Sequence, residues 1–284
     1  MFVTRRFLPF LGVLLSFVLI SWPVHAEEQG GWEKAFQAQI QTWMKELASR
    51  DPQFKEWQKA DTEVQTLGPN QHQWLVSIKK ADKQVGYLVV GETVESNVPE
   101  KFVLLEYGVG EYILFDDAFA PREIAAEPVY DGFASHWLIA RQSSAQMVNA
   151  KTGEAYPASF AANEPTVLQN LVQTGQKLTQ TRTLQSAQTD PFDQIGWFNQ
   201  MQRGSAVTWS ELWQQQNNAS VTLTVSLYHA QVLAPYAVGS LHLWNDQSAY
   251  VGVWDEGLRF VPYVYADKIG KFYVSSPQVR PPQS

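Results

Sequence analysis

The sequence predicts an α+β protein of two modules, each opening with short helices and continuing into an antiparallel β-sheet. Between His72 and Phe115 lie three dense apolar runs, Trp74–Val76, Tyr87–Val90 and Phe102–Leu105. Each is short, rich in β-branched or aromatic residues, and bounded by charged or glycine-containing turns, which is the pattern of strands. Helical periodicity precedes these runs. The same order, helices and then strands, returns after residue 190.

Taken in order, the chain starts with an export leader. Arg5 and Arg6 form a basic start, Phe7 to Trp22 an apolar run, and Val24-His25-Ala26 ends in small residues two apart. That is the form of a cleaved signal peptide over residues 1–26, and a retained membrane anchor is the alternative. Glu27 to Gly31 reads as a flexible lead-in. Trp32, Phe36, Ile40, Trp43 and Leu47 then recur at helical spacing, with charged and amide residues on the other faces. Asp51-Pro52 has the form of an N-cap followed by proline at the first helical position, opening a second short helix with Phe54 and Trp57 on its apolar side. A strand near Thr62–Leu67 leads into the three-stranded meander. Gly108 and Gly110 lack the third glycine and the helix of a phosphate loop, so they predict a bend in a strand that continues through Tyr112–Phe115. Strands at Ser135–Ala140 and Ala145–Val148 close the first module, residues 27–157.

Residues 158–190 are rich in Gln, Thr, Asn and Ser. They predict a polar linker with room for a short helix at Pro165–Val172. In the second module, residues 191–274, Phe192–Met201 suits a helix, and Thr208-Trp209-Ser210-Glu211 has capping-box spacing for another. Strands follow at Val221–Tyr228, Tyr236–Trp244, Ala249–Trp254 and Leu258–Val261, the last two joined by the turn Asp255-Glu256-Gly257. The tail 275–284, with Pro277, Pro281 and Pro282, predicts an extended, mobile end.

Composition narrows the function. The net charge of −7 becomes −9 once the leader, with two arginines and no acid, is removed. Such a balance argues against nucleic acid as a partner, and against a membrane surface unless the leader is retained. The absence of cysteine removes thiol catalysis, thiolate metal sites and disulfide staples. With an export leader, it points to a secreted or cell-envelope protein of a Gram-positive cell. His72, His136, His229 and His242 show no helical pairing and no His-Glu-x-x-His, so no metal site is expected. The acid pairs, Asp116-Asp117 and Asp255-Glu256 among them, do not make a calcium loop, and no cofactor is expected.

Two stretches resemble known families. Trp137-Leu138-Ile139 followed by MVNAKTGEAYP (147–157) is similar to the end of a PepSY-type module. VGYLVVG (85–91) and FVLLEYGVGEYILF (102–115) resemble the prosegments of streptopain-like cysteine peptidases. Over residues 60–157 the resemblance implies a non-catalytic α+β module associated with peptidases, as prosegment or inhibitor, although no cysteine follows to be restrained. AVGSLHLWNDQSAYVGVWDEG (237–257) is similar to the core strands of papain-like exported peptidases, which implies a peptidase-like shell without its thiol.

Three functions remain. The first is an exported non-enzymatic protein that binds a protein or peptide, including a secreted peptidase. The second is a binder of cell-wall glycan or other carbohydrate through Trp244, Tyr250 and Trp254 on an exposed sheet face. The third is a cell-envelope hydrolase using His242 with Asp246 or Asp255.

Overall fold

Helix α1 runs from Val24 to Arg50 in the computed structural model. The structure describes residues 24–68, 72–93, 102–121, 126–140, 145–160, 167, 175–184, 190–193, 196–204, 206–215 and 219–275, with side chains from residue 31 onward. Residues 1–38 and 39–284 form two compact units. Of the first, the helical stretch 24–38 is described, where Trp32 stacks on Phe36 with ring centroids 5.1 Å apart. The expected lead-in Glu27–Gly31 is helical, since Glu27, Glu28 and Gln29 are good helix formers and the cost of two glycines is spread over a 27-residue helix. The leader to residue 23, most of the segment expected as a short helix at 165–172, and the tail from 276 lie outside the described residues.

In the second unit, α1 delivers Ile40, Trp43, Met44 and Leu47 to the interior. The chain then enters the 3₁₀ helix Pro52–Lys59, where Asp51 Oδ1 accepts the Gln53 N–H at 2.9 Å. Strands β1 (Asp61–Leu67), β2 (Gln73–Lys80), β3 (Lys83–Glu92) and β4 (Phe102–Val109) follow as an antiparallel meander. The β2–β3 turn is made by Ala81 and Asp82, both with positive φ, the conformation that matches the twist of a tight hairpin. After β4 the chain turns through Gly110 at φ 119° and Phe115 at φ 57°, so the stretch expected to continue as a strand is a looped return. Its apolar residues Ile113, Leu114 and Phe115 are buried without pairing in a ladder.

Strands β5 (Ala126–Val129), β6 (His136–Ala140) and β7 (Ala145–Asn149) form a separate three-stranded sheet. Strand β8 (Leu178–Thr183) lies inside the segment expected as a polar linker. It pairs antiparallel with the end of a later strand, and a sheet-edge strand can be polar because only one side of it must be satisfied. Helices α2 (Gly196–Arg203) and α3 (Trp209–Gln214) come next, and α3 has both reciprocal hydrogen bonds of the capping box between Thr208 and Glu211. Strands β9 (Ser220–Leu227), β10 (Val232–Trp244), β11 (Ser248–Trp254) and β12 (Leu258–Pro262) then form successive antiparallel pairs. Helix α4 (Tyr263–Ile269) and strand β13 (Gly270–Ser275), neither expected from the sequence, complete the chain.

The fold is mixed α+β, with strands outweighing helices. Its main sheet has ten strands in the order β1-β2-β3-β4-β12-β11-β10-β9-β13, with β8 also on β10. The two segments expected as separate modules therefore meet edge to edge within one sheet, Tyr107–Val109 of β4 pairing with Leu258–Phe260 of β12. Strand β10 is long enough to serve two neighbourhoods. Its first half pairs with β9, and its second half lies between β11 and β8.

Both faces of the sheet centre are covered. On one, Phe54 of the 3₁₀ helix packs against Tyr107, His242 and Phe260. On the other, Tyr87, Val103, Leu105, Val251 and Val261 share a core with Tyr130, Phe133 and Trp137 from the small sheet and its turns, and with Leu223, Tyr265 and Phe272.

Candidate functional site

Four places among the described residues bear on chemistry or binding. The first is built around His242. On β10 its side chain alternates with Leu241 and Leu243 and points to the face under the 3₁₀ helix. Its Nε2 lies 2.9 Å from Asp51 Oδ2 and its Nδ1 2.8 Å from the Tyr107 hydroxyl, while Trp244 Nε1 donates to that hydroxyl at 3.3 Å. One tautomer satisfies this chain. Nε2–H donates to the Asp51 carboxylate, and Nδ1 accepts from Tyr107, which in turn accepts from Trp244. Burial holds the imidazole below its ordinary pKa, against the opposing pull of Asp51. Burial also works to raise Asp51, but the hydrogen bonds from His242 and Gln53 outweigh it and hold the carboxyl below its usual range.

Both nitrogens of His242 are thus occupied, and neither Asp246 nor Asp255 reaches it. Asp246 sits in the β10–β11 turn, accepting from Gln180 Nε2 at 3.2 Å. Asp255 belongs to the second cluster. His242 and Tyr107 have no exposed surface and Asp51 keeps 4%. A triad-like chain sealed this way offers no seat for a substrate. Its polar groups satisfy one another, as buried polar groups must.

The second cluster lies on the opposite face of the same sheet. The register between β3 and β4 slips by one residue at Leu105, a bulge that lets Glu106 join Leu105 in serving the core with Tyr87 and Tyr130. Arg259 grips Glu106 with two nitrogens, Nε to Oε1 at 3.0 Å and Nη2 to Oε2 at 3.1 Å. It also donates to Asp255 Oδ2 at 2.6 Å and to the Gly132 carbonyl at 3.1 Å. Tyr87 and Tyr130 donate to the two Glu106 oxygens, and the guanidinium lies 5.0 Å from the centroid of the Phe133 ring. Lys151 Nζ sits 3.3 Å from Asp255 and is 8% exposed. Burial, partly offset by Asp255, pulls its ammonium down to about 8. Burial opposes the charge on Arg259 too, but Glu106 and Asp255 more than restore it. Two cations and two anions balance here, and the carboxylate–guanidinium fork clamps β4 to β12.

The third place is the aromatic row Trp244, Tyr250 and Trp254. Trp244 and Tyr250 are fully buried beside Tyr107, and Tyr250 donates its hydroxyl proton to the Leu104 carbonyl. Trp254 alone is open, at 45%. No planar row of rings faces solvent at these three positions.

The fourth place is the outer edge of the sheet. Among the described residues β1 pairs only with β2, and five of its seven residues are exposed. An open groove of about 660 Å³ reaches from it across the sheet, lined by residues 63–66 of β1, Ser77 and Lys79 of β2, Asp82 and Gln84 of the hairpin, and the return loop with Asp116 and Asp117. No group of three or more His, Asp or Glu side chains among the described residues is placed to hold a metal ion. No helix among them is long and apolar enough to cross a membrane.

Asp51, Tyr107, Glu106, Lys151 and Arg259 were not singled out as site residues by sequence reasoning. Asp51 had a local signal as an N-cap, but nothing local announces a partner 191 residues away. In comparison with known proteins, the chain matches no family model and no curated protein.

Proposed function

We propose that the protein is a non-enzymatic binder of an extended polypeptide segment, held at the free edge of β1 by strand addition and working outside the cytoplasm behind its export leader. The observation that carries this reading is a strand edge that no described strand fills, with an open groove beginning beside it. Unpaired backbone N–H and C=O groups on an edge strand are a template for another chain. The inhibitor or prosegment form of the reading rests on the resemblance of residues 60–157 and makes the bound segment part of a peptidase. The hydrolase alternative gains nothing from a histidine whose two nitrogens are occupied and whose surface is sealed. The glycan alternative gains nothing from an aromatic row that is two-thirds buried.

Amide hydrogen exchange tests the reading directly. A pool of ten-residue peptides of random sequence, added in excess, should slow exchange at residues 61–67 while leaving the amides of β9 and β13 unchanged. Exchange at β1 that does not respond to any peptide would remove the edge as the binding element.

A further inference from the structure

We infer that the segment received at β1 is cationic, an extended stretch of another polypeptide with Lys or Arg at alternate positions; this rests on the edge-binding reading above. Residues 63, 64, 65 and 66 alternate between the two faces of the sheet, yet all four line the groove. Ser77 of β2 and Gln84 of β3 line it too, so the groove spreads from β1 across one face of the sheet, the face that every second side chain of an added strand would share. Among the described residues its walls carry Glu63, Asp82, Asp116 and Asp117 against the one cation Lys79. Lys79 is already 2.5 Å from Glu63, and the neighbouring Lys83 pairs with Glu111 outside the groove at 2.5 Å. Three carboxylates are left without an ion-pair partner among the described residues. Asp116 uses Oδ1 to accept the Ala118 N–H at 2.8 Å.

An added strand places every second side chain on the same side, so basic residues at alternate positions would all reach the acidic walls while the backbone fills the ladder. The same charges select against a second copy of this chain. Strand β1 carries Asp61 and Glu63 and no cation, so two β1 edges would set like charges against each other. Neutral and acidic segments can make the backbone hydrogen bonds but lose the charge complementarity, which acts mainly on association rate and choice of partner.

The test uses the chain from residue 27 and four labelled ten-residue peptides, followed by fluorescence anisotropy. They are alternating Thr-Lys, alternating Thr-Gln, alternating Thr-Glu, and a Thr-Lys peptide N-methylated at every residue so that neither edge can donate. The Thr-Lys peptide is expected to bind about tenfold more tightly than Thr-Gln in low salt, a preference that shrinks as the Debye length falls to about 8 Å at physiological ionic strength. Thr-Glu should bind weakest, N-methylation should abolish binding, and D82N/D117N should bring Thr-Lys down to the level of Thr-Gln. Equal binding of Thr-Lys and Thr-Gln, with N-methylation still abolishing both, overturns the cationic inference and leaves the edge reading intact. Undiminished binding of the N-methylated peptide overturns the edge itself, because charge alone would then be holding the ligand. No binding by any peptide, or a dimer in sedimentation whose edge is already filled, overturns both.

Discussion

The carboxylate of Asp51 has two partners, capping the 3₁₀ helix with Oδ1 and receiving His242 with Oδ2. His242→Phe would leave that carboxylate buried beside an apolar ring and take the acceptor away from the Tyr107 hydroxyl. A loss of about 3 kcal/mol is expected, the cost of leaving a buried carboxylate without its hydrogen bond, read as a lowered midpoint in urea unfolding. His242 also ties stability to pH. Its folded pKa lies below the ordinary 6.5, so as the pH falls through that value the unfolded chain takes up a proton that the folded chain refuses. His136, lowered by its own burial, adds in the same direction. Stability should therefore be full above about pH 7 and decline steadily between about pH 6.5 and 5. A urea midpoint that stays level over that range would contradict the neutral, sealed imidazole. The Asp-Pro pair announces a cap because that geometry is local. The link to His242 and Tyr107 was illegible because it depends on which strands become neighbours.

At the scale of elements, close packing between the 3₁₀ helix and β3 depends on a missing side chain. A Cβ at Gly86 would lie 2.5 Å from the Trp57 ring and 2.6 Å from the Gly108 carbonyl, so Gly86→Ala must push the helix off the strand. About 1–3 kcal/mol of stability should be lost, measurable by thermal or urea unfolding followed by circular dichroism. In α3 the cap is the fragile point, and Thr208→Ala should cost about 1 kcal/mol, seen as a lowered urea midpoint. That cap was readable four residues at a time, as were the apolar strands β2, β3, β4 and β11. The elements that escaped notice lack such local marks. Strand β8, with the sequence LTQTRT, has one strand neighbour among the described residues and little need for apolar residues. Strand β10 begins at Val232, ahead of its expected start, and carries Pro235. Proline is tolerable there because among the described residues that half of the strand pairs only with β9.

For the whole molecule, the joint between β4 and β12 matters most. Cutting the chain in the polar stretch before residue 178 would leave the N-terminal piece with an open β4 edge and with Glu106 deprived of Arg259. That fragment is expected to lack a cooperative unfolding transition in circular dichroism, and to regain one when mixed with residues 175–284. An N-terminal piece that unfolds cooperatively by itself would show that the pairing is a contact between independent domains. Composition and helix-to-strand order suggested two modules because each half repeats the same succession of elements. Edge pairing between strands 150 residues apart leaves no periodic trace. The same joint also sets a timetable. A chain made from its N-terminus must carry β4 and the Glu106 carboxylate unmatched until residue 259 has emerged, since their partners lie near the far end. Contacts so distant in sequence make folding slow, and the waiting intermediate exposes an apolar strand edge. Nascent chains stalled before residue 258 should thus be the species that aggregates or recruits chaperones, and release past residue 262 should end that vulnerability.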